Sequence, residues 1–447
     1  MAGGTFTRNA KEVRPGVYVN VQSTRNNTIY TGGRGTVLIP FVTHDYGLTG
    51  RLIEISANSP DVNFDVLGYS VYDTSNANML LVREALKNAA KVLVYIIKTG
   101  TKATGSGGGL TGTAKYGGIR GNKLSFTVSA NTLDDTKFDI TVSLDGTVMS
   151  KHTGLANIAE AVAVEDPWID FTKTAADSTL AITAGVNLAG ATADSAAAED
   201  VMNFLDSTEQ AGFDVVLFPS TDSSLQTAFV AKVKFLNDNL GKNIQGVVAN
   251  KAADYHGVIN VTNTVKTADG ITLTVPQAAA WVAGAEAAAA CTDSLTYRPY
   301  DDAVEIVGVK SNEAAKAAIA AGEFFFSYNE GAVVVETDIN SLVNVGNNQD
   351  SSYKKNRVVR TISEVVKSLK AEFQPNKYSN VDADWDIMEE HGQAILTYYA
   401  DLGAIKEVEE GDFAVDRQLS EGEHTYLDVR IKPIDSAEKI YVTVSTS

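Results

Sequence analysis

Residues 427–447 have the sequence LDVRIKPIDSAEKIYVTVSTS, and their pattern indicates regular structure up to the last residues. Apolar and polar residues alternate over residues 427–431 and again over 440–444, which predicts β-strands. The last residues of a chain are usually poorly ordered unless they pair with a sheet or dock on a surface. The final strand is therefore predicted to need a partner.

A second strand of this kind is predicted near the start of the chain. There, VRPGVYVNVQS places Val17, Val19 and Val21 on one face, directly after Pro15 and Gly16. The start itself, MAGGTFTRNAKEVRPG, has no apolar core of the kind that a secretory signal needs. We therefore expect no export by that route.

Helices and strands are predicted on both sides of a glycine-rich region. Before it, TVLIPFVT is typical of a buried strand, and NANMLLVREALKNAAKVLVYIIK indicates a helix followed by a strand at 92–97. After it come a buried strand in FDVVLFP, a helix at 225–240 and a strand in IQGVVAN. Alternating strands and helices are typical of an α/β domain, so we expect the two flanks to form one domain.

The region between these flanks is predicted to be a mostly β insertion. Residues 99–118 contain eight glycines, which neither sustain a helix nor pack a core. Short strands are then predicted in KLSFTVSAN, KFDITVSLDGTVMS, WIDF and TLAITA, with one small helix in LANIAEAVA. Asp145 and Gly146 are typical of a two-residue hairpin turn. The predicted parts of the chain are an N-terminal arm (1–24), a discontinuous α/β core (25–98 with 200–425), an inserted mostly β domain (99–199) and a C-terminal β-arm (426–447).

A basic helix is predicted in KKNRVVRTISEVVKSLKAEF, which carries apolar residues on one face at helical spacing. Between residues 354 and 370 there are six basic residues and a single acid, Glu364. The basic residues are Lys354, Lys355, Arg357, Arg360, Lys367 and Lys370. They are either a solvated helix face or a contact for an acidic partner.

Composition limits the possible partners and compartments. The chain has 37 basic and 55 acidic residues, a net charge of −18, which repels phosphate backbones and anionic lipid. Direct nucleic-acid binding and stable membrane insertion are therefore not expected, and no stretch offers eighteen uncharged apolar residues. A single cysteine, Cys291, excludes an internal disulfide framework and indicates assembly in a reducing cytoplasm.

Residues that can form metal, phosphate or catalytic sites are present, but their spacing does not match the motifs of such sites. The five histidines, His44, His152, His256, His391 and His424, have no metal-ligand spacing. VDADWDIMEEH begins like a calcium loop, but Ile387 stands where that loop needs glycine, so an acidic helix start is favoured. GGIRGNK precedes a predicted strand rather than a helix, which indicates a turn and not a phosphate site. Cys291 follows an alanine-rich helix and is predicted to be buried and structural. We expect no cofactor, no metal and no enzymatic activity.

Several motifs together resemble one family. The RPGVYV start, TAKYGGIRGN, VAGAEA followed by SLTYRPY, KNRVVRTI, and the DVRIKPIDSAEKIYVTV ending are similar, in this order and spacing, to tail sheath proteins of contractile phages. The similarity is greatest to the short sheaths of phages and phage-tail-like bacteriocins of Gram-positive bacteria. It implies an α/β (α+β) conserved sheath domain with an inserted mostly β outer domain and extended N- and C-terminal β-arms.

The resemblance also implies partners and a localisation. Such sheaths assemble in the cytoplasm of the bacterial host as stacked hexameric rings around a tail tube, with baseplate and tail terminator proteins at the ends. Their contraction drives the tube through a cell envelope. Their arms add strands to sheets of neighbouring subunits, and edge strands are suited to this because pairing needs little specific sequence. The residues expected to take part are Val17, Tyr18, Val19, Asn20, Val21, Val429, Ile431, Ile440, Tyr441, Val442 and Val444. The six basic residues are the expected contact with the tube or a neighbour.

Two alternatives remain open from the sequence. Many Thr, Asn and Gly residues suit an exported β-rich surface or adhesion protein, although no export signal or wall anchor is evident. The α/β flanks with an inserted domain also suit a hydrolase, although no catalytic constellation is recognisable.

Overall fold

A computed structural model of the chain describes residues 3–4, 17–18, 34–346 and 349–445. Packing divides the chain into two units. The large unit consists of residues 32–363 and 433–447, and the small unit consists of residues 1–31 and 364–432. These boundaries differ from the predicted ones, because residues 364–425, predicted as part of the α/β core, pack with the small unit instead.

The part before the insertion supplies three strands of the central sheet. Its elements are β1 (Gly3–Gly4), β2 (Val17–Tyr18), β3 (Thr36–Phe41), β4 (Leu52–Ser56), α1 (Phe64–Leu67), α2 (Ala77–Leu86) and β5 (Lys91–Ile96). The predicted buried strand β3 has all six residues buried. No strand was predicted at β4, which pairs antiparallel with β5 at the edge of the sheet.

The insertion is a β-sandwich, which confirms the predicted mostly β region. Its elements are β6 (Thr104–Gly107), β7 (Leu110–Ala114), β8 (Leu124–Ala130), β9 (Phe138–Leu144), β10 (Thr147–Leu155), α3 (Ile158–Val162), β11 (Ile169–Lys173) and β12 (Thr183–Asn187). The strands form a sheet of order β10-β9-β8-β12 and a second of order β11-β7-β6, with one apolar core shared by both. Asp145 and Gly146 form the predicted hairpin turn with φ of 50° and 80°.

The part after the insertion completes the α/β core and continues into two long helices. Its elements are α4 (Ala198–Ser207), β13 (Val215–Leu217), α5 (Ser223–Asp238), β14 (Gln245–Ala249), β15 (Val258–Val261), β16 (Thr264–Thr267), α6 (Val275–Ala288), β17 (Ala303–Val307), α7 (Asn312–Ala320), β18 (Glu323–Phe324), β19 (Phe326–Asn329), β20 (Ala332–Val335), α8 (Asn356–Glu372), α9 (Asp382–Asp401), β21 (Phe413–Val415) and β22 (Leu427–Val429).

The large unit is built on a seven-stranded sheet of order β18-β15-β14-β13-β3-β5-β4. All neighbouring strands are parallel except β4 and β5, and β13 pairs with β3 through Val215 and Val37. This pairing joins strands from the two flanks of the insertion in one sheet. One face of the sheet packs on α2 and α6, and the other packs on α4 and α5.

The small unit has its own apolar core around α9. Trp385 and Met388 of α9 pack with Val415, and the rings of Phe373 and Phe413 stack with centroids 5.5 Å apart. Strands β21 and β22 form a two-stranded antiparallel ladder. Within the ranges given above, no helix is both long and apolar enough to cross a membrane.

Candidate functional site

Residues 440–444 form the most exposed apolar stretch that the structure describes in the large unit. Ile440, Tyr441, Val442 and Val444 are between 78% and 90% exposed. In the described part of the chain, residues 439–445 form no strand and no backbone hydrogen bond with another segment. Contiguous exposed apolar side chains mark interaction surfaces, so this stretch is the candidate functional site.

Glu438, just before this stretch, is firmly bound to the large unit. Its carboxylate accepts hydrogen bonds from the hydroxyls of Thr296 at 2.7 Å and Ser294 at 3.2 Å. It also forms an ion pair with Lys355, whose side chain is mostly buried. Charge-assisted hydrogen bonds of this kind are among the stronger polar contacts in proteins. We call this set of contacts the Glu438 anchor.

A second contact holds the same segment two residues earlier. The guanidinium of Arg357 donates a hydrogen bond of 2.7 Å to the hydroxyl of Ser436. Lys355 directly precedes α8 and Arg357 lies in its first turn, so the start of this helix holds the segment at two points. The exposed apolar residues at 440–444 therefore follow a root, residues 436–438, that is fixed to the large unit.

The start of α8 is itself fixed by a buried charged cluster. Arg360, which has no exposed side-chain area, forms ion pairs with Glu286 of α6 and with Asp338 at 3.0 Å. Its guanidinium also donates to the carbonyl of Asp293 at 2.6 Å. The side-chain amide of Asn356 donates to both carboxylates, at 3.1 and 2.9 Å. Buried charges are tolerated where each is paired and hydrogen-bonded in this way.

The pKa values of the two carboxyl groups of this cluster are shifted in opposite directions. Burial raises the pKa of Glu286 well above its ordinary value, although the Arg360 charge acts in the opposite direction. Burial also acts to raise the pKa of Asp338, but the Arg360 charge and several hydrogen bonds outweigh it, so the pKa of Asp338 is lowered. Asp338 is thus the stronger ionic partner of Arg360.

Four of the motifs in the sequence meet at this place. Glu286 belongs to VAGAEA, Ser294 and Thr296 to SLTYRPY, residues 355–360 to KNRVVRTI, and Glu438 to the DVRIKPIDSAEKIYVTV ending. The role of Ser294, Thr296, Ser436 and Glu438 was not predicted. The motifs themselves were the available signal, but nothing in the sequence indicates that they touch.

The predicted basic contact surface is largely engaged within the chain. Lys355 and Arg357 bind the 433–445 segment, and Lys354 lines a cleft of about 340 Å³. The assignment of Arg360 to a tube or neighbour contact was wrong, because this side chain is buried and paired. Lys367 is half-buried and Lys370 is exposed.

The predicted strand-exchange residues lie in different environments. Val17 and Tyr18 pair with Gly3 and Gly4 in a short parallel ladder, whereas Val19, Asn20 and Val21 lie outside the described residues. Val429 pairs with Phe413 of its own chain on one edge, and its part in strand exchange between copies stays a prediction. Ile431 is half-buried beyond the ladder, and the remaining residues are the exposed set at 440–444.

The sequence matches three described domains along most of its length. Residues 98–193 match the phage tail sheath protein beta-sandwich domain, residues 194–341 the central domain, and residues 348–447 the C-terminal domain. The phage-like element PBSX protein XkdK of Bacillus subtilis is 33% identical over the full length of both chains. The crystal structure of a sheath tail protein from Desulfitobacterium hafniense is 36% identical, with a TM-score of 0.83 over 96% of this chain and 99% of that one.

The chain belongs to the phage tail sheath family. Membership confirms the resemblance seen in the motifs and assigns the chain a structural role in a tail sheath. It favours neither the adhesion protein nor the hydrolase alternative. The helical sheath of the anti-feeding prophage in its contracted state has the same fold, with a TM-score of 0.54 over 98% of this chain and 100% of that one, at 11% identity.

Proposed function

We propose that the chain is the repeating subunit of a contractile sheath, which forms stacked hexameric rings around a tail tube through strand exchange between copies. The observation that carries this proposal is the apolar stretch at 440–444, exposed on an anchored root. Its alternation suits a strand, and a strand added to a neighbouring sheet satisfies its backbone groups and buries its side chains together.

The proposed acceptor is the β21–β22 ladder of another copy. In the described residues this ladder has only two strands, and the backbone N–H of Val415 on β21 donates to the side chain of Glu389, so the outer edge of β22 is the proposed place of pairing. Five added residues contribute roughly 1 kcal/mol for each main-chain hydrogen bond. Burial of Ile440, Val442 or Val444 contributes a further ~1.5–3 kcal/mol for each side chain that becomes fully buried. The stretch at 17–21 is proposed as a second exchanged strand.

Contraction requires that subunits move while these links persist. Strands paired between copies keep the array connected as the bodies of the subunits reorient, and increased burial between the bodies supplies the driving free energy. The high net negative charge of each subunit opposes premature closure, because like charges on neighbouring bodies repel each other. This mechanism needs no nucleotide hydrolysis, and we propose no catalytic role. The baseplate and a tail terminator are the proposed partners at the sheath ends.

Purified full chain tests the proposal by electron microscopy and sedimentation. We expect rings or tubes from the full chain, and dispersed chains with an unchanged melting temperature from a variant that ends at Lys439. A control is Val304→Thr with Val309→Thr, which changes two exposed apolar residues outside the segment. Polymerisation of the truncated variant at the concentration that suffices for the full chain would contradict strand exchange by residues 440–444.

A contact with the tube is proposed for Lys367 and Lys370. Lys367→Glu with Lys370→Glu is expected to reduce co-assembly with the tail tube at least tenfold, because the contact is proposed to involve an acidic surface. The control is Lys102→Glu with Lys173→Glu, which makes the same charge change at exposed positions of the β-sandwich. Co-sedimentation of purified tube and sheath protein measures the difference. Equal co-assembly of both variants would contradict this contact.

A further inference from the structure

The Glu438 anchor lies two residues before the exposed stretch and connects it to the interior of its own large unit. The anchor itself is mostly buried, since the side chains of Glu438 and Lys355 are 12% and 22% exposed. A contact that served only to cover surface would not need three polar partners on one carboxylate. The position and the number of its contacts indicate a role in holding the root of the segment.

Thr296 links the anchor to the buried cluster. Its hydroxyl donates to Glu438 at 2.7 Å and accepts a hydrogen bond of 2.9 Å from the backbone N–H of Asp338. A hydroxyl that donates and accepts at once is oriented by both partners, and such linked bonds strengthen each other. Displacement of Glu438 therefore acts directly on the segment that carries Asp338.

Asp338 in turn connects this route to the central layer of the large unit. Its carboxylate binds Arg360 at 3.0 Å and accepts a hydrogen bond of 3.0 Å from the backbone N–H of Leu295. Arg360 binds Glu286 on α6, and α6 packs against the seven-stranded sheet. A continuous series of polar contacts thus runs from the root of the segment to the core.

We propose that the Glu438 anchor is the load-transfer point of the subunit, which holds the exchanged strand in cis while residues 440–444 bind another copy in trans. This inference rests on the proposed strand exchange and adds the residues that make it mechanically effective. With the anchor intact, the free strand begins two residues from a fixed point. Without it, the nearest contact of the segment is the hydrogen bond from Arg357 to Ser436, so the flexible part before the strand is longer. A longer flexible part lowers the effective concentration of the strand at the acceptor and increases the entropy lost when the strand is ordered.

The first test measures the critical concentration for polymerisation of full-length variants. We expect Glu438→Ala and Lys355→Ala each to raise it about tenfold, while the melting temperature of the dispersed chain stays within about 2 °C of the unaltered chain. The matched control is Asp435→Asn, which removes a carboxylate in the same segment; among the described residues this side chain accepts one hydrogen bond, from the backbone N–H of Ser436. This control is expected to polymerise normally.

Exchange of the two charges separates anchoring from loss of packing. Lys355→Glu combined with Glu438→Lys restores the ion pair in reverse and is expected to recover most of the loss caused by either single reversal.

Polymers of Glu438→Ala are also expected to break at lower force when stretched between two attachment points. Normal critical concentration and normal breaking force for Glu438→Ala would overturn the anchor proposal.

The outcomes for anchor and strand exchange are distinguishable. If Glu438→Ala behaves like the full chain while the variant ending at Lys439 fails to polymerise, strand exchange stands and the anchor role is wrong. If the variant ending at Lys439 polymerises normally, strand exchange by residues 440–444 fails and the anchor proposal fails with it.

Discussion

His44 is a buried imidazole whose two nitrogens have fixed hydrogen-bonding roles. Its Nε2 lies 2.9 Å from the carbonyl of Leu67, to which it must donate, and its Nδ1 lies 3.1 Å from the side-chain amide of Asn78, from which it accepts. Burial lowers the pKa of His44 from 6.5 to about 4. Protonation would place a proton on Nδ1 facing another donor, so the fold selects the neutral form.

The free energy of unfolding therefore depends on pH through His44. The unfolded chain binds this proton near pH 6.5 and the folded chain only near pH 4, so the stability is fully present above pH 6.5 and is lost as the pH falls towards 4. Between pH 7 and pH 5 we expect a loss of about 2 kcal/mol that is absent in His44→Gln. Urea denaturation at the two pH values measures it, with His424→Gln as the control at an exposed histidine. Equal pH dependence in the chain and in His44→Gln would contradict this.

Arg360 gives the largest expected loss from a single substitution. Arg360→Met leaves the carboxylates of Glu286 and Asp338 buried without their cation, which typically costs about 3–5 kcal/mol. Arg51→Met, the same change at an exposed arginine, is expected to have no measurable effect. Chemical denaturation measures both, and a loss below about 1 kcal/mol for Arg360→Met would show that the cluster adds little to stability.

The sequence predicts the burial and the contacts of single residues poorly. Arg360 follows the helical spacing of the basic residues, and one-dimensional charge does not distinguish it from an exposed lysine. The bond between Thr296 and Glu438 joins residues 142 positions apart, so only the tertiary fold brings them together. The burial of Cys291 was predictable, because its alanine-rich surroundings indicate a packed interior.

Elements were predicted more accurately than single contacts, because periodicity is a local property. Strand β3, helix α5 and the hairpin of β9 and β10 occur where their patterns predicted them. The acidic stretch at 382–386 begins α9, with Asp382 and Asp384 in the first turn, as the helix-start interpretation expected. Strand β4 was missed because five alternating residues at a sheet edge give a weak signal.

The close packing of α6 on α2 gives a test at the scale of elements. A Cβ added at Gly284 would lie 2.2 Å from the carbonyl oxygen of Ala85, which is backbone and cannot rotate away. Gly284→Ala is therefore expected to cost about 1–3 kcal/mol through separation of the two helices, despite the higher helix propensity of alanine.

The matched control for that test is Gly212→Ala, where the added Cβ would have no atom within 4 Å. Thermal or urea denaturation compares the two variants. If Gly284→Ala were as stable as the unaltered chain, the approach of α2 and α6 would not be as close as the structure has it. The small side chains of the alanine-rich sequence let another backbone approach α6 closely, but the sequence does not identify α2 as the partner.

For the whole molecule, the fold class was predictable and the division into units was not. Composition changes at the glycine-rich boundary locate the inserted β-sandwich, because a change of pattern accompanies a change of domain. No such change marks residues 363–364, since α8 runs through this boundary as one helix. Pairing between copies is likewise invisible in one chain, where residues 440–444 have no strand partner among the described residues.

Hydrogen exchange of the backbone amides at 440–444 tests whether these residues form a strand with another copy in the polymer. The dispersed full chain and its purified polymer are compared under the same conditions, with the exposed amides of Glu410 and Gly411 as an internal reference. Strand exchange predicts exchange at the unprotected rate in the dispersed chain and at least 100-fold slower exchange at alternate amides in the polymer. A polymer in which all of these amides still exchange at the unprotected rate would contradict the account.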